Sequence, residues 1–195
     1  MWWQRRDPMA PGALRRECRR ILRDMPVPDP FTMAGFIRNI EAERGRRIRL
    51  VELPADVPGQ TGACGLWVKH RQRPLDLILH VQGTTKFHRK KIIFHELCHL
   101  WCEDGSGAEK GQLALLFPGM PPEMIDRLLA TGQVLARSGY ATHAEARAET
   151  LADLLHHETR HARITGDVTL RNLDESLSRP IAGPRRTKPQ EGAPS

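Results

Sequence analysis

Two histidines four residues apart, His95 and His99, bracket a glutamate in the run Ile93-Phe94-His95-Glu96-Leu97-Cys98-His99. On a helix, four residues turn through about 400° and rise about 6 Å, so both imidazoles look out from one face and can share a metal ion. Imidazole nitrogen suits zinc, and a carboxylate beside the pair is placed to take a proton from an activated water. The spacing therefore points to metal-assisted hydrolysis of an amide bond. His95 and His99 are the ligands, Glu96 is the general base and Zn2+ is the cofactor.

A catalytic zinc needs a third protein ligand and an open position for water. One peptidase class takes it from a histidine at position 105 with glycine at 102, but Cys102 and Gly105 stand there. Cys102 lies about 10 Å along the helix axis from His95, too far to share the ion. The Cys-x-x-Cys ribbon of SprT-like proteases is missing as well. Carboxylates on a later helix remain, in His143-Ala144-Glu145-Ala146-Arg147-Ala148-Glu149-Thr150-Leu151-Ala152, where Glu145 and Glu149 share a face. One of them can bind the metal while the other accepts the second N–H of a ligand histidine and fixes its tautomer. Glu145 is the first choice as ligand and Glu149 as its support, with the reverse assignment open. Thr142-x-x-Glu145 also fits a capping box, which would leave Glu145 with only a helix N-terminus to satisfy. Tyr140 and His143, just ahead of that helix, are candidate donors to a tetrahedral oxyanion. His157 and His161 repeat the spacing of four without an acidic or thiol partner and read as a solvated helix end.

The elements that must position these groups follow from periodicity. Leu14, Cys18, Ile21, Leu22 and Met25 mark an amphipathic helix that stops at Pro26, Pro28 and Pro30. Thr32 caps a second helix carrying Phe36, Ile37 and Ile40, closed by Gly45. Ile48, Leu50 and Val51 begin a strand. Gly65–His70 and Leu75–Val81 then read as a hairpin, with Leu75, Leu77, Leu79 and Val81 alternating against Asp76, Ile78 and His80 in a small antiparallel sheet apolar mostly on one face. Thr84 or Thr85 caps the helix that bears the zinc motif. Leu113–Met120 reads as an apolar loop, Pro121 or Pro122 opens a short helix through Met124, Ile125, Leu128 and Leu129, and a last helix runs from about Thr142 to Arg163. The small residues Ala144, Ala146, Ala148 and Ala152 would let that last helix approach the motif helix closely.

The expected fold is α+β and zincin-like, mostly helical, with the small sheet packed on the His-Glu-x-x-His helix. Its domain spans 11–163, after a flexible segment 1–10 and before a largely disordered tail, 164–195, rich in Gly, Pro, Arg and Ser. With 39% hydrophobic residues, 195 residues can bury one core. The formal charge of +7 is spread widely, and we read it as solvated faces rather than a nucleic-acid surface. No stretch is apolar enough for a secretory leader or a membrane span, and four cysteines without a leader suit reduced thiols and a cytoplasmic setting.

The order of two helices, a small sheet, His95-Glu96-Leu97-Cys98-His99 and then Glu145-x-x-Ala148-Glu149-x-Leu151-Ala152 resembles the ImmA/IrrE family of metallo-endopeptidases over roughly residues 14–155. The resemblance implies that Glu145, first in Glu-x-x-Ala, is the third zinc ligand. It also implies a protein substrate, commonly a helix-turn-helix repressor or the antitoxin of a toxin-antitoxin pair, cut to change transcription. The chain departs from the family pattern at Cys98, where glycine is usual, and at Glu149, where Asn or Asp is common. Its linker between His99 and Glu145 is also longer than in many members, and could serve as a lid, a docking loop or filler. A second class of function is a non-cleaving regulatory or toxin-component subunit that binds a DNA-binding partner through the same fold. Glu96 favours the enzyme, because a pure binder has no use for a base beside the metal.

Overall fold

In the computed structural model, residues 11–53, 65–104, 106–136 and 143–164 are described. The helices are α1 (Pro11–Asp24), α2 (Met33–Arg44), α3 (Lys86–Cys102), α4 (Lys110–Leu116), α5 (Pro122–Thr131) and α6 (His143–Ile164). The strands are β1 (Arg47–Leu53), β2 (Gly65–His70), β3 (Leu75–Val81), β4 (Ser106–Gly107) and β5 (Gly132–Ala136). The class is mixed α and β. The readings for segment 1–10 and for the tail beyond 164 lie outside the described residues.

Local chemistry sets most of the helix ends. The Thr32 hydroxyl accepts from the Gly35 amide at 3.0 Å, and Gly45 closes α2 in the left-handed region at φ 61°, where lack of a Cβ removes the steric cost. Thr85, the second of the two candidate caps, accepts from the His88 amide at 3.2 Å and starts α3. At its other end α3 stops in a Schellman turn. Glu103 adopts φ 54°, its N–H donates to the Leu100 carbonyl at 3.3 Å, and the Asp104 N–H donates to the His99 carbonyl at 2.9 Å.

The strands form one sheet in the order β1-β3-β2-β5-β4. The hairpin expected from Gly65–His70 and Leu75–Val81 is present, but the sheet is mixed rather than antiparallel, because β1 runs parallel to β3 with Arg47 opposite Leu75. It is also covered on both faces. The Asp76, Ile78 and His80 phase of β3, polar by composition, turns toward the helices and is buried. There Asp76 accepts from Arg46 Nε at 2.7 Å and from Trp67 Nε1 at 3.0 Å, which offsets its desolvation.

Two apolar cores result. On one face, α1, α2, α3 and α6 bury Cys18, Phe36, Ile40, Phe94, Leu97, Cys98, Leu151 and Leu155 against Trp67 and Ile78. Phe31, Phe36 and Phe94 meet in tilted and edge-to-face pairs with centroids 5.8–6.1 Å apart. On the opposite face, Leu113, Phe117, Met120 and Ile125 pack on Leu53, Leu66, Val68, Leu79 and Val134. The described stretch 106–136 of the long linker is thus packed on the sheet. Leu113–Met120, read as loop, belongs to α4 as far as Leu116 and is turn and loop from Phe117 on, and 106–136 supplies two strands and two helices that close the sheet.

α3 lies between the sheet and α6, so every residue from Ile92 to Leu100 is buried, as expected for a helix with neighbours on most sides. Ala148 and Ala152 are buried where α6 meets this core, whereas Ala146 faces solvent and takes no part in the approach. No helix among the described residues is long and apolar enough to cross a membrane.

Candidate metal centre

The one-face geometry of α3 brings His95 Nε2 and His99 Nε2 to 3.0 Å, with the rings edge-to-face. Glu145, in the first turn of α6, enters between them. Its Oε2 lies 3.5 Å from His95 Nε2 and its Oε1 lies 3.3 Å from His99 Nε2. Donors about 2.05 Å from a zinc ion at the tetrahedral angle stand about 3.3 Å apart, so the two imidazole nitrogens are near that spacing and the carboxylate reaches each of them through a different oxygen. His95, His99 and Glu145 are the one group of three or more potential ligands that could hold a metal among the described residues.

Each imidazole has a carboxylate at its far nitrogen. Glu149, one turn beyond Glu145 on α6, places Oε2 3.5 Å from His95 Nδ1, the supporting position expected from the sequence. Asp104 places Oδ2 3.5 Å from His99 Nδ1, a contact the sequence reading missed. Lys91 holds Glu149 at 2.7 Å and Asp153 at 3.1 Å, and Arg147 is paired with both Asp104 and Glu17. The signal for Asp104 was the reversal that ends α3, since an acid just past a Schellman turn folds back over the last turn of its helix.

Glu96 is 6% exposed and points toward β2. A Cβ added to Gly65 would come within 2.7 Å of Glu96 Oε1 and 2.8 Å of Ile92 Cγ2. Glycine at the start of β2 is therefore what admits the Glu96 side chain between helix and sheet. Cys98 packs in the apolar core, as a small hydrophobe at that position should, and burial pushes its thiol well up.

Two candidates are not brought in. His143 pairs through Nε2 with Glu17 of α1 at 3.0 Å and, two residues from Glu145 on a helix, faces another side, so the structure gives it no oxyanion role. Tyr140 lies outside the described residues, as does Thr142, so the capping-box alternative for Glu145 falls there too. Further along α6, His156 packs its ring edge-on against Phe87 with centroids 4.5 Å apart.

The surroundings favour a cation at this spot. Burial pulls the His99 imidazole down, but the Asp104 and Glu145 carboxylates outweigh it and push it up to about 9. His95 is likewise raised, burial being outweighed by Glu145 and Glu149. Glu149 is held down to about 2 by His95 and then Lys91, against the opposing effect of burial. Carboxylates converge here on groups that are ordinarily neutral at pH 7, and either protons or a metal dication balance them. No protein-family model, curated protein or solved structure matches the chain.

Proposed function

We propose that the chain is a zinc-dependent endopeptidase with zincin-like packing, acting in the cytoplasm on a protein regulator. A helix-turn-helix repressor or antitoxin is the substrate that the ImmA/IrrE resemblance implies. The observation that carries the reading is the convergence of His95 Nε2, His99 Nε2 and the Glu145 carboxylate within 3.5 Å of one another, with Glu96 next in sequence to the first histidine. The donor set fits zinc in kind and number, two imidazoles and one carboxylate. Bound there, zinc supplies a Lewis acid that brings the pKa of a water to about 7 and polarises the scissile carbonyl.

The remaining work falls to the chain. Glu96 takes the proton from the attacking water and returns it to the leaving amine, acting first as base and then as acid. Gly65 admits the carboxylate that does this. The Glu149 carboxylate, 3.5 Å from His95 Nδ1, is placed to accept that nitrogen's N–H, so that Nε2 is the nitrogen offered to the metal.

Zinc content and cleavage of the regulator encoded beside this gene test the reading in wild type, Glu96→Gln and Glu145→Ala. Glu96→Gln is expected to keep zinc and lose cleavage, and Glu145→Ala to lose zinc. Cleavage that survives in Glu96→Gln overturns the peptidase reading, and zinc retained at full affinity in Glu145→Ala overturns the ligand assignment.

A further inference from the structure

We propose that Asp104 is a positioning residue for His99, held in place by a charged relay through Arg147 to Glu17, so that α1 forms part of the metal centre's support. This rests on the zinc reading above and extends it to residues outside the His-Glu-x-x-His motif. Asp104 sits at the second residue past α3, where its N–H bonds back to the His99 carbonyl and its carboxylate comes to 3.5 Å from His99 Nδ1. Backbone and side chain of one residue thus both engage the ligand histidine. The Asp104 side chain is only 10% exposed, and Oδ2, 3.5 Å from the imidazole, makes no other hydrogen bond among the described residues.

Behind Asp104 stands Arg147, bonded to its other oxygen and to Glu17 Oε1 at 3.2 Å. Glu17 Oε2 meets His143 at 3.0 Å, and the Cys18 thiol donates to the Arg147 carbonyl at 3.7 Å, so α1 grips α6 where Arg147 leaves it. A string of partly buried charges between helices is a poor source of stability, since apolar side chains of like volume would serve as well or better. What the string provides is a fixed place for the Asp104 carboxylate. Glu103 underlines the point by taking a left-handed conformation at φ 54° where glycine would be the relaxed choice.

Zinc affinity by chelator competition and the visible spectrum of the cobalt-substituted full chain test this in wild type, Asp104→Leu, Asp104→Asn and Arg147→Met. Asp104→Leu is expected to weaken zinc by about 10–100-fold and to alter the cobalt spectrum. Asp104→Asn, which keeps an acceptor oxygen, should recover part of the loss. Arg147→Met should shift both readouts the same way by less, and add nothing to Asp104→Leu in the double variant, since the two act through one contact. A folded Asp104→Leu with wild-type affinity and spectrum overturns the assignment while leaving the zinc reading intact. Wild type that binds no zinc overturns both. Should Asp104→Leu fail to fold, Arg147→Met decides, and unchanged affinity and spectrum there overturn the relay.

Discussion

Among the described residues, ionisable groups are buried on one side of the sheet and not on the other. Toward α3 and α6 the chain buries Asp76, His80, His95, Glu96 and His99 among its aromatic rings, whereas toward α4 and α5 it buries Leu113, Phe117, Met120 and Ile125 against aliphatic strand residues. Buried ionisable groups cost free energy unless each is matched, and matching them constrains many side chains at once. The apolar face carries no such demand and can contribute burial without compensation. The comparison teaches that the stretch 106–136, between His99 and Glu145, adds an apolar layer on the face of the sheet turned away from the two histidines.

That division can be broken from the apolar side first. Phe117→Ala should lower stability by about 3–5 kcal/mol in denaturant melts while the folded fraction binds zinc with unchanged affinity. A folded variant with weakened zinc binding would show the two faces to be coupled. On the charged face, Gly65→Ala should press on the Glu96 carboxylate and cut cleavage by about a hundredfold with zinc content unchanged, since small misplacements of a reacting group are costly. Zinc lost together with activity would mean that Gly65 serves packing alone.

The smallest effect is on the pH dependence of the metal-free protein. His99 rises from its ordinary 6.5 to about 9 in the fold, so its contribution is complete below 6.5 and disappears as pH rises through 9. Glu149, lowered to about 2, contributes above about 4.5 and loses that only in strong acid. Zinc-stripped protein should therefore melt lower at pH 9 than at pH 6, and His99→Gln should flatten that slope. An equal slope in His99→Gln would remove the imidazole as its source.

The motif helix and its paired histidines were legible because spacing on a helix converts directly into geometry, and the two carboxylates of α6 obeyed the same rule. β3 was harder. Its alternation was read correctly as strand, but the phase holding Asp76 and His80 proved the more buried, because Arg46 and Trp67 satisfy the aspartate from elsewhere in the chain. The insert escaped for a different reason. α4 is a short helix that ends at Leu116, just ahead of the Pro118-Gly119 turn that dominates the reading of the stretch, and β5 is a short run that acquires strand identity only by pairing with β2. Asp104 belongs to no motif, and its role emerges only once the chain reverses.

That reversal gives α3 a fixed length. One residue inserted between His99 and Glu103 would swing whatever follows by about 100° and carry it about 1.5 Å further along the axis. The carboxylate would then lie beside a different turn and Arg147 would face an empty partner. Homologous chains that keep the relay should tolerate changes of residue type in this stretch far better than changes in its number of residues.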